Sequence, residues 1–164
     1  MRTLFRARFA ACSYSLIFTL HRTMKHPVHI AWALALLPAL SQAYALDDQL
    51  DCKSTGHAFV APLLQQNLIE AKPMRVEPNS VNAFRPTKDS QLTAFGFSVY
   101  AVVAYQKDDP IFRKGTGEPI ADSAYGAVVI GRDSAVEPKV RATGSDANVH
   151  HVAPFITAIF CKQD

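Results

Sequence analysis

The stretch QLTAFGFSVYAVVAYQ, Gln91 to Gln106, constrains the fold more than any other, because it is long, carries no charge and alternates in size. Successive side chains of an extended chain point to opposite faces. Phe95, Phe97, Val99, Ala101, Val103 and Tyr105 therefore share one side, and Ala94, Gly96, Ser98, Tyr100, Val102 and Ala104 the other. Bulky residues on one face and small ones on the other predict a sheet with a helix resting against it. At about 3.3 Å per residue the run would exceed about 45 Å, too long for one ordinary strand. It must bend, and Gly96 is the expected position.

The helix is expected upstream, at Ala58 to Ala71, where Val60, Leu64 and Leu68 form one stripe beside Phe59 and Leu63. Pro62 places the first turn near itself, and Lys72-Pro73 closes the element. Short strands are predicted at Arg75 to Glu77 and Val81 to Arg85, with a loop over Arg85 to Ser90. Beyond the long run, KDDP (Lys107 to Pro110) ends the strand, and an extended loop runs to Ser123. Further strands are expected at Tyr125 to Arg132, Pro138 to Thr143, and Val149 to Cys161, the last broken by Pro154. The resulting fold class is α+β: one N-terminal helix on a curved antiparallel sheet of about four to five strands.

The N-terminal part has a different character. From Met24 the chain runs through Lys25 and His26, an apolar stretch from Ile30 to Leu40, and Ala43-Tyr44-Ala45. This is the pattern of a secretory signal peptide, and the stretch is too short for the roughly 20 residues of a membrane span. Cleavage is expected after Ala45, with Ser41-Gln42-Ala43 as the second choice. Residues 1–23 read as an over-extended start or leader, 24–45 as the signal, and 46–164 as one small domain. The expected address is outside the cytoplasm: the periplasm in a Gram-negative bacterium, otherwise the extracellular space.

Removing that leader reverses the charge. The whole chain carries 17 basic and 14 acidic residues, yet Arg2, Arg6, Arg8, Arg22 and Lys25 all precede residue 46 and no acid does. The remainder is slightly acidic with scattered Lys and Arg, which excludes the basic patch that nucleic acid requires. Cys12 departs as well, leaving Cys52 and Cys161. Two cysteines in an exported chain predict one disulfide, here stapling the helix to the last strand. Leu50 and Asp51 before Cys52 do not suit a lipid anchor, so no membrane anchor is expected in the mature form.

Catalytic signatures are missing from the sequence. FRKGTGEP, Phe112 to Pro119, lacks the spacing of a phosphate loop. His150-His151 should point to opposite faces of a strand and so not share a metal ion, even with His57 or Asp146 recruited. Ser98 or Ser123 with His151 and Asp108 or Asp146 has no nucleophile elbow around it. No catalytic, metal or cofactor residue is therefore assigned. The loop 107–123 is the expected contact surface, with Asp108, Asp109, Phe112, Arg113 and Lys114 as its interface residues and Tyr100 and Tyr105 as nearby aromatics.

These readings predict a small, non-catalytic exported protein that binds another macromolecule, in the manner of an inhibitor or immunity-type module. Its plan is similar to that of small exported inhibitors and cystatin-like domains, with no residue carried over from them. A second expectation is a small-molecule binder or hydrolase with a pocket between helix and sheet, lined by Ala94, Gly96 and Ser98. A third is a structural component of the cell envelope.

Overall fold

The computed structural model describes residues 43–163. Residues 1–23 and the stretch Met24 to Gln42 of the expected signal, Met24 to Ala45, lie outside that range. In chain order the elements are β1 (Tyr44–Ala45), a 3-10 turn (Asp47–Gln49), α1 (Gly56–Gln65), β2 (Arg75–Val76), β3 (Asn82–Phe84), β4 (Leu92–Ala94), β5 (Phe97–Gln106), β6 (Ser123–Ile130), α2 (Asp133–Ala142), β7 (Asn148–Ala153) and β8 (Ile156–Gln163). The strands form one eight-stranded sheet with the path β1-β4-β5-β6-β8-β7, and β3, carrying β2, pairs with the far half of β5. Every pairing is antiparallel except β1 with β4, which makes the sheet mixed.

This corrects the expected fold class. Among the described residues there are two helices instead of one, eight strands instead of four to five, and a strand stands ahead of the first helix. The largest miss is α2, which occupies the segment expected as the strand Pro138 to Thr143. A proline interrupts a helix only by the amide it lacks and the carbonyl four residues back. For Pro138 that residue is Ser134, on the exposed side of the helix. Val136 and Val140, one turn apart, are the buried face, and Gly144 at φ 76° closes the helix by donating to the Arg141 carbonyl.

Helix α1 also differs in extent. It starts at Gly56 behind Thr55, whose hydroxyl caps the Ala58 amide, and it stops at Gln65 instead of Ala71. Asn67 adopts φ 54°, its amide donates to the Leu64 carbonyl, and Leu68 donates to Leu63. That is a Schellman ending with asparagine in the position glycine usually takes. Gly56 is required by close approach, since a Cβ there would lie 2.4 Å from the Tyr105 carbonyl oxygen.

The long uncharged run does not bend at Gly96 but reverses. Phe95 and Gly96, both at positive φ, form the two-residue turn of a hairpin between β4 and β5. Asp47 accepts the Phe95 amide at 2.8 Å, pinning the turn to the lead-in segment. A second two-residue reversal, Pro154-Phe155, divides the expected final strand into β7 and β8.

The alternation itself is interrupted once. Val99 and Ala101 pair with consecutive residues Val129 and Val128, so Tyr100 is a bulge. After it the faces exchange: Val102 and Ala104 join Val99 in the core, opposite Ala127 and Tyr125, while Ala101 and Val103 turn to the other face. The small residues of β5 thus face α1, as the size pattern requires, but only because of the bulge. Both helices cover this same face, with Phe59, Val60 and Leu63 of α1 and Val136 and Val140 of α2 in the core beside Val129 and Ile159. The expected disulfide is present: Cys52 and Cys161 are bridged with their Cα atoms 5.1 Å apart.

Candidate functional site: the open sheet face

Two helices on one face leave the other to be covered by loops. The segment 77–80 and the loop after β5 run side by side across its margin: Gly115 donates to Ser80 Oγ, Gly117 to the Pro78 carbonyl and Ile120 to the Asn79 carbonyl. Among the described residues the cover stops there. Between this loop wall and β7 lies an open groove of about 310 Å³, floored and walled by Val81, Val103, Ile120, Val128, Val152 and Phe160. Its polar rim consists of Glu77 and Asn79 on the loop side and His150 on the β7 side. Ala158, on the strand between β6 and β7, also lines it.

The residues expected as an interface divide into two sets. Phe112 is buried, with its ring 6.3 Å from Phe84 and 6.4 Å from Tyr105, and so anchors the loop in the core. Tyr105 is buried in the same aromatic group, and its hydroxyl has no hydrogen-bond partner among the described residues. Asp109 is also structural. Its carboxylate, only 8 % exposed, meets His57 Nδ1 at 2.5 Å and accepts the Ile111 amide at 2.9 Å, tying the loop to the start of α1. Asp108 and Lys114 remain in solvent, 3.7 Å apart. The Arg113 side chain is exposed, while its backbone exchanges two hydrogen bonds with Asn82. Of the expected interface residues, Asp108, Arg113 and Lys114 are therefore the exposed ones, just before the segment that walls the groove. Tyr100 is exposed on its bulge.

The other candidates do not assemble. Ser123 Oγ accepts the Gly56 amide at 2.8 Å, and Ser98 is on an exposed part of β5. Ala94 is buried in the core whereas Gly96 is in an exposed turn, so Ala94, Gly96 and Ser98 are split between interior and solvent. His150 lines the groove, and His151 pairs with Thr157 on the opposite face. Among the described residues no three His, Cys, Asp or Glu side chains gather to hold a metal ion, and no helix is long and apolar enough to cross a membrane. The groove itself escaped the sequence reading, because its lining comes from four strands and two loops whose adjacency depends on topology. The chain matches no protein-family model, no curated protein and no solved structure.

Proposed function

We propose that this chain is an exported, non-catalytic binding protein that receives apolar side chains of a protein partner in the groove on its open sheet face. The observation that carries the reading is the groove: branched aliphatic and aromatic side chains line it, with Glu77, Asn79 and His150 at the rim. Its volume of about 310 Å³ stands at the bottom of the range of about 300–1,000 Å³ typical of small-molecule sites. An open depression of that size suits a few inserted side chains better than an enclosed ligand. Arg113 and Lys114, on the loop that walls it, supply the charged surround that protein interfaces carry outside their apolar centres.

Export is supported by the Met24 to Ala43 pattern and by the disulfide, a bond of oxidising compartments. The sheet favours cleavage after Ala43. Tyr44 and Ala45 form β1, the Tyr44 amide donates to the Gln91 carbonyl at 2.7 Å, and the Tyr44 hydroxyl receives Gln49. A cut after Ala45 would discard that strand; a cut after Ala43 keeps it.

Affinity capture from the exported fraction, with intact-mass analysis, tests both parts. The expected mature chain begins at Tyr44, and a start at Leu46 would refute the role given to β1. A stoichiometric partner should be captured by the natural protein and lost with Ala158→Arg, which fills the groove with a charge. Retention of the partner by that folded variant would sink the reading.

A further inference from the structure

The sheet has a second unused resource, its last edge. The outer strands β1 and β2 are two residues long, and shortness is one way in which proteins protect an edge. Strand β7 is six residues long, Asn148 to Ala153, and carries no Lys, Asp, Glu or Pro within it. It ends the strand path, and among the described residues no strand pairs with its outward main-chain groups, which leaves them for a further strand. Its one protective feature is the irregularity at Val152. Exposed large apolar residues collect at the same place: Val152 (54 %), Phe155 (55 %) in the turn that follows, and Ile130 (53 %) at the end of β6.

The charges at the two ends of β7 identify the occupant. Its start adjoins Asp146, which shares a surface depression with Asp47, Asp48 and Asp51; the cations beside these four carboxylates are Lys53 and Arg141, whose guanidinium donates to the Ser145 carbonyl at 3.0 Å. Its finish adjoins Arg132, whose guanidinium lies 4.6 Å over the ring of Phe155, with Asp133 following it in the chain. Antiparallel pairing of a strand with its own copy sets each start against the other finish. We infer that β7 is a self-association edge through which two copies of this chain pair antiparallel about a two-fold axis near His150, with Asp146 of each beside Arg132 of the other. A strand without Lys, Arg, Asp or Glu meets its copy without the like-charge repulsion that those residues bring, and a two-fold contact of this kind closes after two chains. The paired sheet covers Val152 and Phe155, which otherwise face water.

Sedimentation velocity on protein expressed from the full 164-residue chain, diluted from about 100 µM to cover the micromolar range of modest interfaces, reads the oligomer directly. A concentration-dependent dimer is expected. His151→Lys, which places a charge on the edge without entering the groove, should weaken it by about tenfold or more. Asp146→Arg and Arg132→Asp should each weaken it, and the two together should restore it, since the exchanged charges again face one another. Far-UV circular dichroism verifies that each variant is folded. A monomer at every concentration overturns the inference, as does a dimer indifferent to all three substitutions or a double variant that is not restored. Loss of the captured partner with Ala158→Arg tests the groove separately, because Ala158 is on β8, one strand in from the edge.

Discussion

Removal of the Cys52–Cys161 bridge, by Cys52→Ala with Cys161→Ala, should cost this domain a large part of its stability. The bridge spans 109 residues, nearly everything between β1 and the end of β8. In the chain-entropy account a closed loop of that length disfavours the unfolded state by about 4.8 kcal/mol. Total stabilities of small domains are about 5–15 kcal/mol, so the loss is a third or more. Cys161 is fully buried in the core, and its truncation adds up to about 1 kcal/mol of lost packing. With a urea dependence of about 1.5 kcal/mol per M, the midpoint should fall by about 3–4 M. Urea titration followed by far-UV circular dichroism measures it, and the natural protein in reductant should behave like the variant. The dependence on urea should also steepen, because the unbridged chain exposes more surface on unfolding. A double variant within about 1 kcal/mol of the natural protein would refute loop closure as the source of the bridge's effect.

Tyr105→Phe removes a buried hydroxyl that has no partner among the described residues, so stability should rise by about 1 kcal/mol; a fall in the urea midpoint would mean that the hydroxyl is bonded. Asp109→Ala frees the Ile111 amide and releases His57, and should cost about 1–3 kcal/mol in the same titration, more than His57→Ala, which leaves the amide satisfied. Burial raises the Tyr125 hydroxyl above the ordinary tyrosine value of 10.0, although hydrogen bonding from the Ser54 backbone opposes the shift. The folded state thus holds a proton that the unfolded chain releases, and the contribution of Tyr125 is intact below about pH 10 and declines as pH rises toward the folded value. Melting temperatures between pH 9 and 11 should accordingly fall more steeply for the natural protein than for Tyr125→Phe. Lys107, raised by its hydrogen bond to Asp122, adds the same decline to both proteins and cancels in the comparison.

Local chemistry was readable from the sequence where a residue type has one strong preference, and unreadable where the neighbour decides. The helix over Phe59, Val60 and Leu63, strands near Asn82 to Phe84 and Ser123 to Ile130, and the Cys52–Cys161 pairing all follow from pattern or compartment. The α2 segment reads as a strand only if Pro138 is allowed to outweigh the spacing of Val136 and Val140 and the glycine at 144. Phe95 is a poor turn former by type, and its positive φ is held by Asp47, forty-eight residues earlier. Phe112 illustrates the same limit at the candidate site: an aromatic in a long polar loop looks like a surface anchor until the fold supplies Phe84 and Tyr105 as neighbours. The groove is a product of topology alone, since Val103, Val128, Val152 and Phe160 come together only once the strand order is known.

The bulge at Tyr100 makes β5 a message written in two frames. A strand is read in steps of two, and one extra residue shifts every later side chain to the opposite face. Before Tyr100 the core is addressed by Val99; after it, by Val102 and Ala104, while Val103 is left for the groove. The loss of that single exposed residue would restore the frame, sending Val103 and Tyr105 against α1 and withdrawing Val102 and Ala104 from it. Deletion of Tyr100 should therefore abolish folding, whereas deletion of an exposed residue such as Thr116 in the long loop leaves every strand in register. Core and groove are thus compatible in one strand because of a residue that belongs to neither.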